Sequence, residues 1–341
     1  MTIAAARRYT SRNGIPARQV AMAGLRYAEG GTVGELQTAG VAPIPAGEHD
    51  VSTDRGLLIN VAYRMLGSMS DAEDVVQETF TRWYTMPVQA RAEVANPSGW
   101  CVRVATRICI DLLKSARHRR EAYVGPWLPE PLPHHGAAVG SPTADPADRV
   151  TLDDSVTTAV LTVLEEMTPA ERVSFVLHDV FGYPFAEIGE IVGRSTDACR
   201  QLATSARRRL KSERGQSYGA AKHAAVVHGF KNALESGDIG ALIGLLDPDV
   251  RVVNDGGGRV RAALREVVGA EKVVRYLLGL RQRQPDAHLA PAEVSGQPGL
   301  VVQLHGATWA VVSIDVQDGL ITRLWMVLNP DKLRFWRTGS F

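Results

Sequence analysis

Asp71-Ala72-Glu73-Asp74-Val75-Val76-Gln77-Glu78-Thr79-Phe80 sorts its residues onto two faces at helical spacing. Ala72, Val75, Val76, Thr79, Phe80 and the following Trp83 recur at i, i+3, i+4 and i+7, which predicts a helix with one face in a core. Ser70 is placed to cap its start. Asp71, Asp74, Gln77 and Glu78 are left on a separate exposed stripe, and residues 71–78 hold four acids and no base. Such a stripe repels DNA and suits a basic protein partner, although a plainly solvated face has the same signature.

Upstream, Leu57, Leu58, Val61, Ala62, Met65 and Leu66 mark one face of another helix, which Gly67 ends. Downstream, Asn96-Pro97 supplies an N-cap and a proline at the first helical position. In the helix it opens, Cys101, Val104, Ala105, Ile108, Leu112 and Ala116 are expected inward. Arg103, Arg107, Lys114 and Arg117 gather on another face, and residues 103–120 carry six Lys/Arg against one Asp. A basic stripe of this kind lies well along phosphates, each contact releasing counterions. Trp100 either stacks on an unpaired base or joins the core.

Thr168-Pro169-Ala170-Glu171 is a capping box with proline at N1. Its helix should end near Phe181-Gly182. A short helix from Phe185 to Val192, a Gly193-Arg194 turn and a longer helix capped by Ser195 then give a helix-turn-helix. Cys199, Leu202, Ala203, Ala206 and Leu210 form the buried stripe. Thr196, Asp197, Arg200, Gln201 and Thr204 point outward where a recognition helix meets base edges, and Arg and Gln pair with guanine and adenine. Arg207, Arg208 and Arg209 suit backbone phosphates.

The chain thus divides into a structureless tail at 1–50, helices at 51–120, a linker at 121–150, helices at 151–215 and a mixed block at 216–341. In the tail, translation starting as late as Met22 is an open alternative. The linker holds Tyr123-Val124-Gly125-Pro126-Trp127-Leu128-Pro129-Glu130-Pro131, whose three prolines forbid a regular helix. Trp127 and Leu128 are costly to leave wet, so this segment should dock on something. The last block reads as helices at 220–235, 238–246 and 270–282. Strands are expected at 250–254, 287–294, 299–305, 307–316 and 320–328, an α+β pattern. Asp255, Asp315, His305 or Tyr276 are candidates to line a pocket there, but the sequence has no HExxH, no Walker loop and no Cys/His ligand spacing.

The 341 residues are 45% hydrophobic and 22% charged with a net charge of +1, globular values that hide separate acidic and basic surfaces. Cys101, Cys109 and Cys199 are an odd, scattered set, which fits buried thiols in a reducing cytoplasm better than a disulfide framework. No run of 18 apolar residues exists, so no membrane-spanning helix is expected.

Ala62-Tyr63-Arg64-Met65-Leu66-Gly67, the stretch from Asp71 to Phe80, and Asn96-Pro97-Ser98-Gly99-Trp100 resemble region 2 of extracytoplasmic-function (ECF) sigma factors. Thr168 to Arg209 is similar to their region 4. Beyond Gly215 the chain resembles a SnoaL-like cone domain. Trp127 to Pro131, Asp255-Gly256-Gly257-Gly258-Arg259 and Asn329-Pro330-Asp331-Lys332-Leu333 look like the marks of the subgroup that carries such an extension.

The resemblance implies a multidomain fold: two all-α sigma domains (a region 2 helical bundle and a region 4 helix-turn-helix) plus a C-terminal α+β cone. It implies that Asp71, Asp74, Gln77, Glu78 and Phe80 bind core RNA polymerase. Asn96, Trp100, Arg103, Arg107, Lys114 and Arg117, with the loop Met86–Gly99, would open the −10 element of promoter DNA. Thr196, Arg200, Gln201, Arg207 and Arg208 would read the −35 element. Trp127, Pro129, Asp255, Gly257, Arg259, Asn329, Asp331 and Lys332 would be regulatory, the last domain replacing a separate anti-sigma factor. No catalysis, cofactor, metal or membrane partner is implied; a cytoplasmic, stress-linked transcription role is, and a small-molecule ligand in the last domain stays open. So do two other functions: a ligand-responsive helix-turn-helix regulator, and an enzyme in the last block. Arg259 stands where the subgroup often has Lys, which keeps charge but not geometry. The first 50 residues match nothing recognisable.

Overall fold

The computed structural model describes residues 50–121, 123–133, 156–213 and 219–336. The tail expected at 1–50, except Asp50, the linker from residue 134 on, and the first five residues of the block expected at 151–215 lie outside these residues. Four helices come first: α1 (Arg55–Leu66), α2 (Met69–Thr85), the short α3 (Val88–Ala92) and α4 (Pro97–Glu121). Ser68, not Ser70, caps α2, its hydroxyl accepting from the Asp71 N–H. The competing serines are two residues apart, and burial of Met69 inside the first turn decides between them. Gly67 closes α1 in the left-handed region at φ 66°, where a side chain is strained.

On α4 the inward face is rotated from the expected one. Cys101, Val102, Ala105, Cys109 and Leu113 are buried, whereas Val104, Ile108 and Leu112 are only partly so. The cause is a second packing partner. Helices α5 (Thr158–Glu165), α6 (Pro169–Phe175), α7 (Phe185–Val192) and α8 (Thr196–Glu213) share one apolar cluster with α1, α2 and α4. The two helical blocks, separate in sequence, have a common core. Thr168 and Glu171 make the capping box, and α6 continues as a π turn over Val176–Val180. Gly193 ends α7 at φ 71°, and Ser195 caps α8.

The last block has α9 (Ala220–Ser236) and α10 (Ile239–Leu245), then β1 (Leu246–Asp255), β2 (Val267–Val268) and α11 (Ala270–Arg283). A meander of β3 (His288–Val294), β4 (Gln297–Leu304), β5 (Ala307–Gln317) and β6 (Leu320–Val327) completes it. The sheet order is β2-β1-β6-β5-β4-β3, with β1 parallel to β6 and the other neighbours antiparallel. Ser295-Gly296, His305-Gly306 and Asp318-Gly319 turn the hairpins with positive φ at both residues, as tight two-residue turns require. Strand alternation gives the sheet two faces. Val250, Val252, Leu324 and Met326 meet α9 and α11 on one side, and Val253, Trp325 and Val327 meet Leu128, Leu333 and Trp336 on the other. The linker therefore docks on the sheet face that the helices leave open.

Candidate functional site

Four prolines keep residues 126–133 extended, so their backbone groups and side chains face outward to be taken by neighbours. Asp255, at the end of β1, is fully buried and collects them. Its carboxylate accepts the Leu128 N–H at 2.9 Å and the Tyr123 hydroxyl, and pairs with the Lys332 ammonium at 2.7 Å. Lys332 also donates to the Leu128 carbonyl and lies 4.0 Å from the centroid of the Trp127 ring. Burial and the bond to Asp255 push the Tyr123 phenol well above its usual pKa. Asn329 caps the Pro330–Lys332 turn and donates to the Tyr123 hydroxyl at 2.9 Å. At Gly257, φ 59°, a Cβ would collide with Asn329, so the turn after Asp255 needs glycine. Pro129 is buried, and Arg259 and Asp331 form an exposed pair at 3.5 Å. All eight residues expected to be regulatory thus fall in one clasp around the linker.

The clasp reaches the first helices through Glu130, which sequence reading did not single out. Its N–H donates to the Gly67 carbonyl and its carboxylate accepts the Met69 N–H, both at 2.8 Å, capping α2 from outside its own segment. Tyr63 donates to the Glu130 carbonyl, and a Cβ on Gly67 would come 2.9 Å from the Trp127 ring. Burial raises the Glu130 pKa; the Met69 N–H and the Arg334 charge oppose the rise. Arg334 stands 3.4 Å from Glu130 and 3.1 Å from Glu73 on α2. These pairs span up to 261 positions, which no periodicity could reveal.

On α2, Asp74, Gln77 and Glu78 are exposed, and Asp71 and Phe80 half-buried. Burial and then the neighbouring charges of Asp71 and Glu73 raise the Asp74 pKa. Glu78 is paired with Arg82 at 2.8 Å one turn on. Gln77, Phe80, Tyr84, Glu73 and Arg55 border an open groove of about 690 Å³. Tyr84, with 53% of its surface exposed, is the apolar contribution that the sequence reading missed.

The basic stripe on α4 does not stand free. Arg103 is paired with Glu190 of α7 at 3.1 Å, and Arg107 donates to the Glu190 carbonyl at 3.4 Å. Lys114 is exposed beside Asp111, and the Arg117 side chain lies outside the described residues. Asn96 caps α4 through the Gly99 N–H at 2.9 Å, and Trp100 is half-buried against Trp83, ring centroids 5.2 Å apart. Between the blocks, Arg172 is 2% exposed and binds the Met65 carbonyl and Glu165, each at 2.7 Å. Burial lowers its pKa to about 9.

In the helix-turn-helix, Thr196, Asp197, Arg200, Gln201 and Thr204 are all exposed. Arg207 forms a two-pronged bond with Asp179, while Arg208 is exposed. A cavity of about 60 Å³ opens inside the cone among Leu277, Leu289, Val302, Trp309 and Met326, with Arg281 and Gln284 its polar lining. None of Asp255, Asp315, His305 and Tyr276 lines it. Asp255 lies on the opposite sheet face, and Tyr276 is bonded to Asn254 at 2.9 Å.

Two helical modules with opposed acidic and basic faces, one of them a helix-turn-helix, define a DNA-reading protein that docks on a larger partner. Residues 51–119 match the Sigma-70 region 2 family and residues 157–210 the Sigma-70, region 4 family. The chain is 38% identical over 296 residues to ECF RNA polymerase sigma factor SigJ of Mycobacterium tuberculosis, covering 83% of this chain and 90% of that protein. It is 37% identical over 282 residues to the same organism's Probable ECF RNA polymerase sigma factor SigI, covering 82% and 92%. The crystal structure of SigJ superposes with a TM-score of 0.66 at 36% identity, over 84% of this chain and 99% of that one. The chain therefore belongs to the ECF RNA polymerase sigma factors. It binds core RNA polymerase and directs initiation at promoters, and its last block has the α+β architecture that the resemblance implied. Among the described residues no helix is long and apolar enough to cross a membrane.

Proposed function

We propose that this sigma factor is held closed by its own C-terminal domain and acts in the cytoplasm without a separate anti-sigma factor. The observation that carries this reading is the buried Asp255–Lys332 pair gripping the linker. Residues 51–120 serve as region 2, 151–215 as region 4 and 216–341 as the controlling domain, with 121–150 as the gripped linker. Asp71, Asp74, Gln77, Glu78 and Phe80 face the polymerase. Asn96, Trp100, Arg103, Arg107, Lys114 and Arg117 serve the −10 element, and Thr196, Arg200, Gln201, Arg207 and Arg208 the −35 element.

The two promoter elements lie roughly 25 base pairs apart, about 85 Å at 3.4 Å per base pair. Helices α4 and α7 touch through Glu190, so both elements cannot be read until the blocks separate. The clasp, the Glu130 cap and the Arg172 bonds all favour the closed form. Weakening the clasp should raise initiation when the factor is limiting. Run-off transcription with core polymerase and the full chain, wild type against Lys332→Met, tests this; equal or lower output from the variant contradicts it.

A second reading concerns the cone. A small apolar ligand with one polar end, for which the cavity of about 60 Å³ beside Arg281 and Gln284 would have to widen, would tune the clasp rather than be turned over.

A further inference from the structure

We propose that Phe185 and His178 position Arg200 for reading the −35 element. The inference rests on the assignment of Arg200 to base recognition above. Arg200 projects from α8 with 59% of its side chain exposed, and a free arginine there would sample many rotamers. Two neighbours restrict it. The Asp197 carboxylate holds its guanidinium at 2.6 Å one turn back, and the Phe185 ring lies under it at 5.7 Å from the centroid. Phe185 comes from the first helix of the helix-turn-helix, so the recognition arginine is referenced to both helices of the motif.

The ring is itself held. His178 stacks beneath Phe185 with centroids 3.8 Å apart and planes 26° from parallel, and its Nδ1 is 2.9 Å from the Tyr183 carbonyl oxygen. His178 sits in the π turn, the one described departure from regular helix in this module. Single π turns recur at functional sites because the extra residue re-aims a side chain. The result is a chain of contacts from His178 through Phe185 to Arg200, built from residues with no mutual spacing signal. A planar guanidinium that arrives oriented loses less freedom on making a bidentate contact to guanine than one that must be ordered at the DNA. An exposed cation–π contact corresponds to roughly a two- to fivefold effect on binding.

The test uses holoenzyme formed from core polymerase and the full chain, with a duplex library randomised across the −35 hexamer and sequenced after binding. Arg200→Ala should erase preference at one position of the hexamer. Phe185→Leu, which keeps an apolar plug but removes the ring, should weaken preference at that same position about two- to fivefold and leave the others unchanged. Phe185→Tyr, which keeps the ring, should restore it. The Arg200→Ala, Phe185→Leu double variant should be no flatter there than Arg200→Ala alone. Phe185→Leu indistinguishable from wild type, or flattening every position alike, overturns the positioning role while leaving base reading intact. Arg200→Ala with undiminished preference overturns base reading by Arg200 and the positioning with it.

Discussion

Lys332 and Asp255 form an ion pair at 2.7 Å in which the carboxylate is fully buried, and the same ammonium lies 4.0 Å from the centre of the Trp127 ring. Three segments far apart in sequence are thereby fixed to one another: the linker, the end of β1 and the turn after β6. Breaking such a pair strands a charge, whereas replacing both partners with apolar residues need not cost stability. Asp255→Leu or Lys332→Met alone should therefore destabilise the protein by about 3–5 kcal/mol. The double replacement Asp255→Leu, Lys332→Met should recover a large part of that. Urea unfolding of the four proteins in a double-mutant cycle measures the coupling, and strictly additive losses would count against the clasp.

The Glu130 carboxyl supplies a pH handle. Burial raises its pKa above the ordinary 4.5. From the ordinary value up to the raised one, the folded protein holds a proton that the unfolded chain has released, so this group's contribution to stability falls as pH rises through that window. Glu130→Gln is neutral throughout and should remove that part of the decline. Unfolding midpoints measured from about pH 4 to pH 7 should thus diverge between wild type and variant as pH rises. Parallel curves would place no titrating role on Glu130.

Arg172 ties the two helical blocks through the Met65 carbonyl and Glu165. Arg172→Met should remove the bonds to the Met65 carbonyl and the Glu165 carboxylate and cost several kcal/mol, on the order of 3–5. The exposed Arg103–Glu190 pair is different: with side chains 41% and 64% exposed, it is worth at most about 1 kcal/mol. Glu190→Gln should barely alter the melting temperature yet raise the free chain's affinity for −10 DNA several-fold, since it releases Arg103 of the α4 stripe. Fluorescence anisotropy reads the affinity, and unchanged binding would argue against masking.

The proposed role of the α4 stripe puts Arg107 against a phosphate of the −10 element. Arg107→Ala should weaken promoter binding across sequences and lower the slope of log affinity against log salt by about one. A variant that keeps the slope but changes sequence preference would make Arg107 a base reader instead.

The helices were legible because their signals are local. Thr168 with Glu171 and Gly193 with Ser195 act within a few residues, and the two faces of α2 follow from a period of 3.6. The inward face of α4 was misread because the second helical block packs on it, exposing Val104 in part and burying Val102 and Leu113. Strand β1 runs from Leu246 rather than Val250 because pairing with β6 recruits residues whose own sequence is turn-like. The clasp was partly visible, since Asp255, Asn329 and Lys332 lie in stretches that resemble known motifs. Glu130, Arg172, Glu190 and Arg334 were not visible as a set, because each acts through a partner brought close only by the fold.

The most direct measurement is run-off transcription by core polymerase on a promoter template, with the full chain limiting. Wild type should yield transcripts from one fixed start, and Lys332→Met should raise their amount without moving that start. Transcription no greater than core polymerase gives alone would contradict the sigma role. Promoter-specific transcripts that Lys332→Met leaves unchanged or reduces would contradict control by the clasp.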